Sequence, residues 1–309
     1  MFLSAPRPMR FVLFVLSRAA TAAEPRMNFL VVLIDDMGLR AVVREGDALL
    51  LGGVPRVVQT FDFLPENADA PGQTRSFAAD GTLALRLVFT DGAQSIATFA
   101  DGVWRDLATS GGPAPVAGGT WKNLRAPAVS ADGWVAFVGE VTRPGAPPRI
   151  GVFRFAPDGA GAALALSGAV TPAGGVWSDF GSPVVAASGA VAFFTEHRAG
   201  HARGLWKSTA HGLDRLAVER ATAPGSGAQT FRRFHALALS DDGRVLLAAD
   251  LAARAPLAVV DTSRPITRLE FLPRVPLVGA QTRAFNAIGR LTFRAQFAGG
   301  GEAICRALD

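Results

Sequence analysis

"SADGWVAF", residues 130–137, reads as a tight turn followed by the opening of a strand, and the chain repeats it. Four other stretches align with it without a gap: AADGTLAL at 78–85, AASGAVAF at 186–193, SDDGRVLL at 240–247 and NAIGRLTF at 286–293. Their glycines, Gly81, Gly133, Gly189, Gly243 and Gly289, stand 52, 56, 54 and 46 residues apart. A period of about 50 residues with strand-like content is what the blades of a β-propeller require, whereas helical repeats are mostly shorter and carry a 3.6-residue pattern. No useful length of this sequence carries that pattern.

The turn chemistry accounts for the motif. In Ser130-Ala131-Asp132-Gly133 the first side chain can accept a hydrogen bond from the turn backbone, and the glycine can take φ > 0 at no steric cost. That is the pattern of a type I turn closed by a glycine bulge, which joins antiparallel strands. The five glycines are therefore read as structural turn residues. The residues two and four beyond each glycine are apolar: Leu83 and Leu85, Val135 and Phe137, Val191 and Phe193, Val245 and Leu247, Leu291 and Phe293. A spacing of two places each pair on one face of a strand.

A common order of pieces follows each turn. After GWVAFVGEV (133–141) come RIGVFRF (149–155), AALALSG (162–168) and an aromatic stretch, GGVWSDF (174–180). The next unit reads GAVAFFTEH, RGLWKS, LDRLAVER and GAQTFRRF. Four strands per unit is the content of a propeller blade. Before the first turn, NFLVVLID, LRAVVREG and RVVQTFDFL match the second to fourth strands of a unit, and RLTFRAQF and EAICRAL at the C-terminus match the first and second. The expectation is an all-β propeller of five four-stranded blades, its ring closed by N- and C-terminal strands in one blade, with one strand claimed from both ends.

Composition agrees with a folded domain: 309 residues, 49% apolar and 18% charged, supply ample core. The formal charge of +5 comes almost wholly from scattered Arg, with Lys only at 122 and 207. Nucleic-acid binding needs a patch that neutralises several phosphates, and no such run is present, so no nucleic-acid partner is expected. The single cysteine, Cys305, excludes an intrachain disulfide and a Cys-based metal site, and between apolar neighbours it reads as a small buried hydrophobe. The N-terminal MRFVLFVLSRAATAAEP has a basic start, a short apolar run and small residues at a cleavage position. Residues 1–26 are accordingly read as a signal or leader segment, with a misassigned start codon as the other reading, and 27–309 as one propeller domain. No other stretch approaches a transmembrane length, and a monomer without a membrane anchor is expected.

These motifs resemble a known group, the bacterial choice-of-anchor proteins with tandem NxxGxxAF repeats. Asn286 to Phe293 keeps the Asn, Gly and Phe, with Thr for Ala; Ser130 to Phe137 and Ala186 to Phe193 keep the Gly, Ala and Phe; the other two copies end in Leu. The group's REGD step is matched by Arg44-Glu45-Gly46-Asp47. The resemblance spans roughly residues 29–309 and implies a propeller-like fold and export to the periplasm or beyond, with no settled activity to carry over. The chain departs from the group in ending on AICRALD, without a sorting or anchor segment, so a soluble exported form is expected.

Propellers bind ligands at one mouth of the central channel. If the strand after each turn is innermost, the position seven beyond each glycine lines that mouth, and it reads Val88, Glu140, Glu196, Asp250 and Gln296. Three acids and an amide at one height could hold a cation or the hydroxyls of a sugar, and Glu140, Glu196, Asp250 and Gln296 are the candidate ligand-binding residues. His197 and His201 have the spacing of two zinc ligands only on a helix, and here they fall in a loop with Gly200 between them. His211 and His235 are isolated. Trp121, Trp177 and Phe231 recur at one step of successive units and read as blade packing. No G-x-S-x-G, P-loop or dinucleotide fingerprint occurs. The function expected is an exported, non-enzymatic binding or scaffold module without a cofactor. The alternative is a propeller carbohydrate-active enzyme, a glycosidase or lyase, using the acids at the mouth; a Tyr nucleophile is excluded, since the chain has no Tyr.

Overall fold

Two recurring turns build the architecture, one at each end of its sheets. The structure is a computed structural model that describes residues 30–35, 38–62, 76–78, 81–196, 202–223, 229–240, 243–252, 254–262, 270–271, 292–296 and 302–306. Among them there is no helix, and every strand pairing is antiparallel.

A two-stranded pair, β1 (Leu30–Asp35) and β2 (Gly38–Arg44), comes first. The first large sheet follows, ordered β3 (Ala48–Leu51), β4 (Val54–Asp62), β5 (Leu83–Phe89), β6 (Gln94–Ala100), β7 (Val103–Thr109). In the second, β8 (Thr120–Leu124) and β9 (Ala128–Val129) both pair with β10 (Val135–Arg143), followed by β11 (Ala146–Phe155) and β12 (Gly161–Leu166). The third repeats this, with β13 (Asp179–Phe180) and β14 (Val184–Val185) on β15 (Val191–Glu196), then β16 (Gly204–Thr209) and β17 (Gly212–Val218). The fourth is β18 (Phe231–Leu239), β19 (Val245–Leu251), β20 (Arg254–Thr262) and β21 (Glu270–Phe271). A last pair is β22 (Thr292–Gln296) with β23 (Glu302–Arg306).

The first turn type is the glycine hairpin. The Gly133 N–H donates to the Ser130 carbonyl at 3.0 Å, the Ser130 N–H to the Trp134 carbonyl at 2.9 Å, and the Trp134 N–H to Ser130 Oγ at 3.1 Å. The same two backbone bonds recur around Gly81, Gly189 and Gly243, with φ of +95°, +78°, +77° and +82° in chain order over the four glycines. Gly289 lies outside the described residues. So short a hairpin pairs the strand before it with the strand after it. This moves the unit boundary by one strand: GGVWSDF, expected as the last strand of its unit, instead supplies β13, which pairs with β15 and opens the third sheet. The described part of RVVQTFDFL, residues 56–62, likewise lies in β4, which pairs with β5 in the first large sheet.

The second turn type carries the chain from one sheet to the next. Asp47 N–H donates to the Arg44 carbonyl, Gly112 to Thr109, Ala169 to Leu166 and Ala221 to Val218, so four i to i+3 turns are equivalent. Their third residues, Gly46, Gly111, Gly168 and Arg220, all have positive φ, the requirement of a type II turn. Each crossover then makes a small excursion, seen in the pairing of β3 with β4 and in the bridges Pro113 to Thr120, Val170 to Val176 and Thr222 to Thr230.

The repeat motif also explains how sheets stack. Val135 and Phe137 are fully buried and pack, with Trp121, Phe153 and Phe155, against Ala84 and Ile96 of the preceding sheet. Ala136, one residue between them, points the other way and packs with Val138 and Val152 against Val191, Phe193 and Trp177 of the following sheet. Ala192 repeats the arrangement against Val245 and Leu247. Each G-x-V-A-F therefore presents a large face to the sheet behind it and a small face to the sheet ahead, which lets pleated surfaces interdigitate at core density. Long cationic side chains tie the stack together. Arg154, opposite Ala136, donates to the Gly189 carbonyl at 2.8 Å, and Lys207, opposite Ala192, donates to the Gly243 carbonyl.

Candidate functional site

The position seven beyond Gly81, Gly133, Gly189 and Gly243 does not lie on a free inner edge, because β5, β10, β15 and β19 are hydrogen-bonded to strands on both sides. The strand before the turn is the inner one: β9 lies beside β5 and β14, and β14 beside β18. The expectation that the acids project from the innermost strand is corrected on this ground.

Position seven is nonetheless equivalent from sheet to sheet. Val88 faces Thr60, Glu140 faces Asn123, Glu196 faces Asp179 and Asp250 faces Arg233, each on the inner strand of its own sheet. Gln296, in β22, faces Glu302 of β23. The inner strands of the first, second and fourth sheets are irregular at this point, where Gln59, Lys122 and Arg232 are the extra residues. A bulge of this kind aims two consecutive side chains toward one cross-strand partner.

The second sheet shows the result. Glu140 Oε1 accepts from Lys122 Nζ at 2.9 Å, and Glu140 Oε2 accepts from Asn123 Nδ2. Burial alone would raise the Glu140 carboxyl, but the hydrogen bonds from Lys122 and Asn123 and the charges of Lys122 and Arg125 outweigh it and hold the group below its ordinary value. Beside this pair, Arg125 reaches into the next sheet, donating to the Phe180 carbonyl at 2.9 Å and to Asp179 Oδ1 at 3.2 Å. Thr120 and Thr142 hydroxyls meet at 3.0 Å across the same two strands. The equivalent cross-strand sets differ in chemistry: Lys-Asn against Glu, Arg-Arg against Asp and Gln-Thr against Val, while in the third sheet Asp179 alone stands opposite Glu196.

The acids thus do not form a bare ring, since Glu140 has a cation and an amide on it and Asp250 stands opposite an arginine. Lys122, Asn123 and Arg125 were not legible as partners in the sequence. The available signal was position: Lys122 directly follows Trp121, in a chain with two lysines. Among the described residues no three His, Cys, Asp or Glu side chains come together as a metal cage.

The remaining candidates sit apart from this end or outside it. His197 and His201 lie outside the described residues. His211 is exposed on the turn between β16 and β17, its N–H donating to Thr209 Oγ1 at 3.3 Å, and His235 lies in β18. Cys305 lies in β23, opposite Phe293. Trp121, Trp177 and Phe231 are buried in aromatic clusters, with ring centroids 4.5 Å from Phe153, 4.6 Å from Trp206 and 5.4 Å from Phe234 respectively. Residues 1–26 lie outside the described residues, and no helix among the described residues is long and apolar enough to cross a membrane.

Comparison with known proteins gives distant likenesses. The chain is similar to the X-ray structure of a candidate gluconolactonase at 16% identity and a TM-score of 0.37, covering 72% of this chain and 70% of that one. It is similar to a puromycin hydrolase at 15% identity and a TM-score of 0.43, covering 91% of this chain and 43% of that one. A puromycin-hydrolyzing peptidase of Mycobacterium tuberculosis matches at 15% identity and a TM-score of 0.34, covering 90% and 48%. The chain spans less than half the length of these two hydrolases. None of the three is similar enough to transfer an activity. No curated protein matches the chain. A model of a family of unknown function, DUF7453, matches residues 96–258, more than half of the sequence, and the chain belongs to that family.

Proposed function

We propose that the chain is a five-bladed β-propeller of the NxxGxxAF tandem-repeat kind, exported from the cytoplasm, and that it works as a non-enzymatic binding or scaffold module. Four successive sheets built on one plan, each laying its large face on the small face of its neighbour, support the propeller. The fifth blade would draw on the copy at Gly289, on β22 and β23, and on β1 and β2. Export rests on the leader-like residues 1–26.

The observation that carries the non-enzymatic reading is the state of Glu140. A glycosidase needs one carboxyl group kept protonated as a general acid, hence with a raised pKa, paired with a second carboxyl about 5 to 5.5 Å away for retention or roughly 6.5 to 9.5 Å for inversion. Glu140 is shifted the other way and already holds Lys122 and Asn123. Such a group is suited to displaying fixed polar contacts, with no resident cofactor, and a cation at this end would have to displace Lys122 from it.

The test is a glycan-array screen with calcium calorimetry on the full chain and on a Glu140→Ala, Glu196→Ala, Asp250→Ala variant. A ligand bound by the wild type and lost by the variant is expected. Hydrolysis of an array glycan by the wild type, abolished by Glu140→Gln, would replace the module with an enzyme.

A further inference from the structure

The crossover turn into the fourth sheet differs from its three counterparts at one residue. Gly46, Gly111 and Gly168 hold positive φ at the earlier crossovers, and here Arg220 holds it, at +70°. A long side chain in the left-handed region is strained, and such outliers cluster at functional sites. Arg220 is exposed.

Two more arginines stand beside it. The Arg220 N–H donates to the Phe231 carbonyl at 2.7 Å and the Phe231 N–H to the Ala221 carbonyl at 3.0 Å, so the turn is bound to the residue that Arg232 and Arg233 directly follow. Arg232 is the extra residue of the β18 bulge, a device that aims consecutive side chains the same way. Both arginines are exposed, and none of the three guanidinium groups enters an ion pair among the described residues.

Two acids lie close in the fold. Asp250, half-buried, stands opposite Arg233 in register, and Glu219 is buried, its Oε1 accepting the Phe234 N–H at 3.0 Å. Three exposed cations therefore stand against one partly exposed acid. The other bulges carry no such excess: Gln59 and Thr60 are neutral, and Lys122 is engaged by Glu140.

We propose that Arg220, Arg232 and Arg233 form an anion-binding site for an acidic polysaccharide. A guanidinium group presents paired N–H donors in one plane, which match the oxygens of a carboxylate or a sulfate, and it gives up water more readily than an ammonium group. Three of them at one point suit the one or two charged groups that each repeat of such a polymer brings. A nucleic acid would instead need cations spread along several phosphates. The site goes beyond the binding-module reading, whose contacts are the acids, and stands whether or not those acids hold a ligand.

Fluorescence anisotropy of labelled oligogalacturonate and of a labelled heparin oligosaccharide, each titrated with the full chain, tests it. The first probe carries carboxylates alone and the second sulfates as well, so their order of affinity tells which group the arginines prefer. Binding of at least one is expected, falling about tenfold or more between about 0.05 M and about 0.5 M NaCl as the charges are screened. Arg220→Gly gives the turn the residue its counterparts carry, so the fold is kept. It should nonetheless weaken binding about fivefold, as should Arg232→Gln and Arg233→Gln, the worth of one exposed charge contact each. Arg44→Gln removes an exposed cation from the equivalent turn of the first large sheet and should change nothing. No binding of either probe, binding indifferent to salt, or an Arg44→Gln loss equal to that of Arg220→Gly would each overturn the site. Tighter binding of a single-stranded RNA of the same length would overturn the polysaccharide and assign the arginines to nucleic acid.

Discussion

The two ends of each sheet are made by turns of comparable regularity, yet only one end repeats its chemistry. At the glycine hairpins the same backbone bonds and the same positive φ recur around Gly81, Gly133, Gly189 and Gly243. At the crossover end, Thr60, Asn123, Asp179 and Arg233 occupy one structural position and range from neutral through anionic to cationic. The first end is constrained because a change there alters a chain reversal and a sheet contact together. The second meets solvent and is free to differ, which is where a binding surface can be built on a fixed scaffold.

The sharpest way to break this comparison is to attack the motif's large face. Phe137 is fully buried and touches Trp121, Phe153 and Phe155, with centroids at 5.4, 6.0 and 5.6 Å. Phe137→Ala should cost about 3 to 5 kcal/mol, measured by urea unfolding, since a cavity between two sheets cannot collapse without moving both. A loss below about 1 kcal/mol would mean that the sheets are not locked by this face.

Next in size is a contrast between two glycines of like φ. A Cβ on Gly189 would sit 2.6 to 2.8 Å from the Trp134 ring, while one on Gly174 would meet nothing within 4 Å. Both carry the left-handed penalty of roughly 1 kcal/mol, but Gly189→Ala adds overpacking of about 1 to 3 kcal/mol. Urea midpoints that fall equally for the two variants would remove the packing role and leave only the turn.

Much of this was readable in advance, and the unread part has a physical reason. The glycine copies stand in the sequence because a tight hairpin needs particular residues at fixed offsets. The crossover turns were visible only as the REGD step, because two later copies are SGG and SGA and the fourth is Glu219-Arg220-Ala221, where an arginine replaces the glycine. The sequence reading puts GGVWSDF one strand away from its actual partner β15, since periodicity locates strands without saying which neighbour they bond. The partners of Glu140 were hidden for a related reason: a bulge changes which side chains share a face, and the sequence has no marker for it.

Arg220 provides a smaller test of the crossover. It has φ of +70° where its three counterparts are glycine. Arg220→Gly should stabilise by about 0.5 kcal/mol, the relief of left-handed strain being partly offset by the greater freedom of glycine in the unfolded chain. A melting temperature that falls instead would show that the arginine side chain contributes more than its backbone costs.

The smallest effect is the most specific to the crossover end. Glu140 is held below its ordinary pKa by Lys122 and Asn123 against the opposing influence of burial. A depressed carboxylate adds stability that is present above the unfolded pKa and is lost as the pH falls through the folded one. Lys122→Ala should therefore move the Glu140 titration upward, followed through its carboxyl carbon by NMR, and shrink the acid-side loss of stability, while neutral-pH stability changes little because a surface pair contributes at most about 1 kcal/mol. Asn123→Ala should move the titration in the same direction, since the bulge brings both side chains to one carboxylate. If Lys122→Ala shifts Glu140 and Asn123→Ala does not, the bulge delivers one partner instead of two, and the crossover end is less ordered than the hairpin end in its side chains as well as in its sequence.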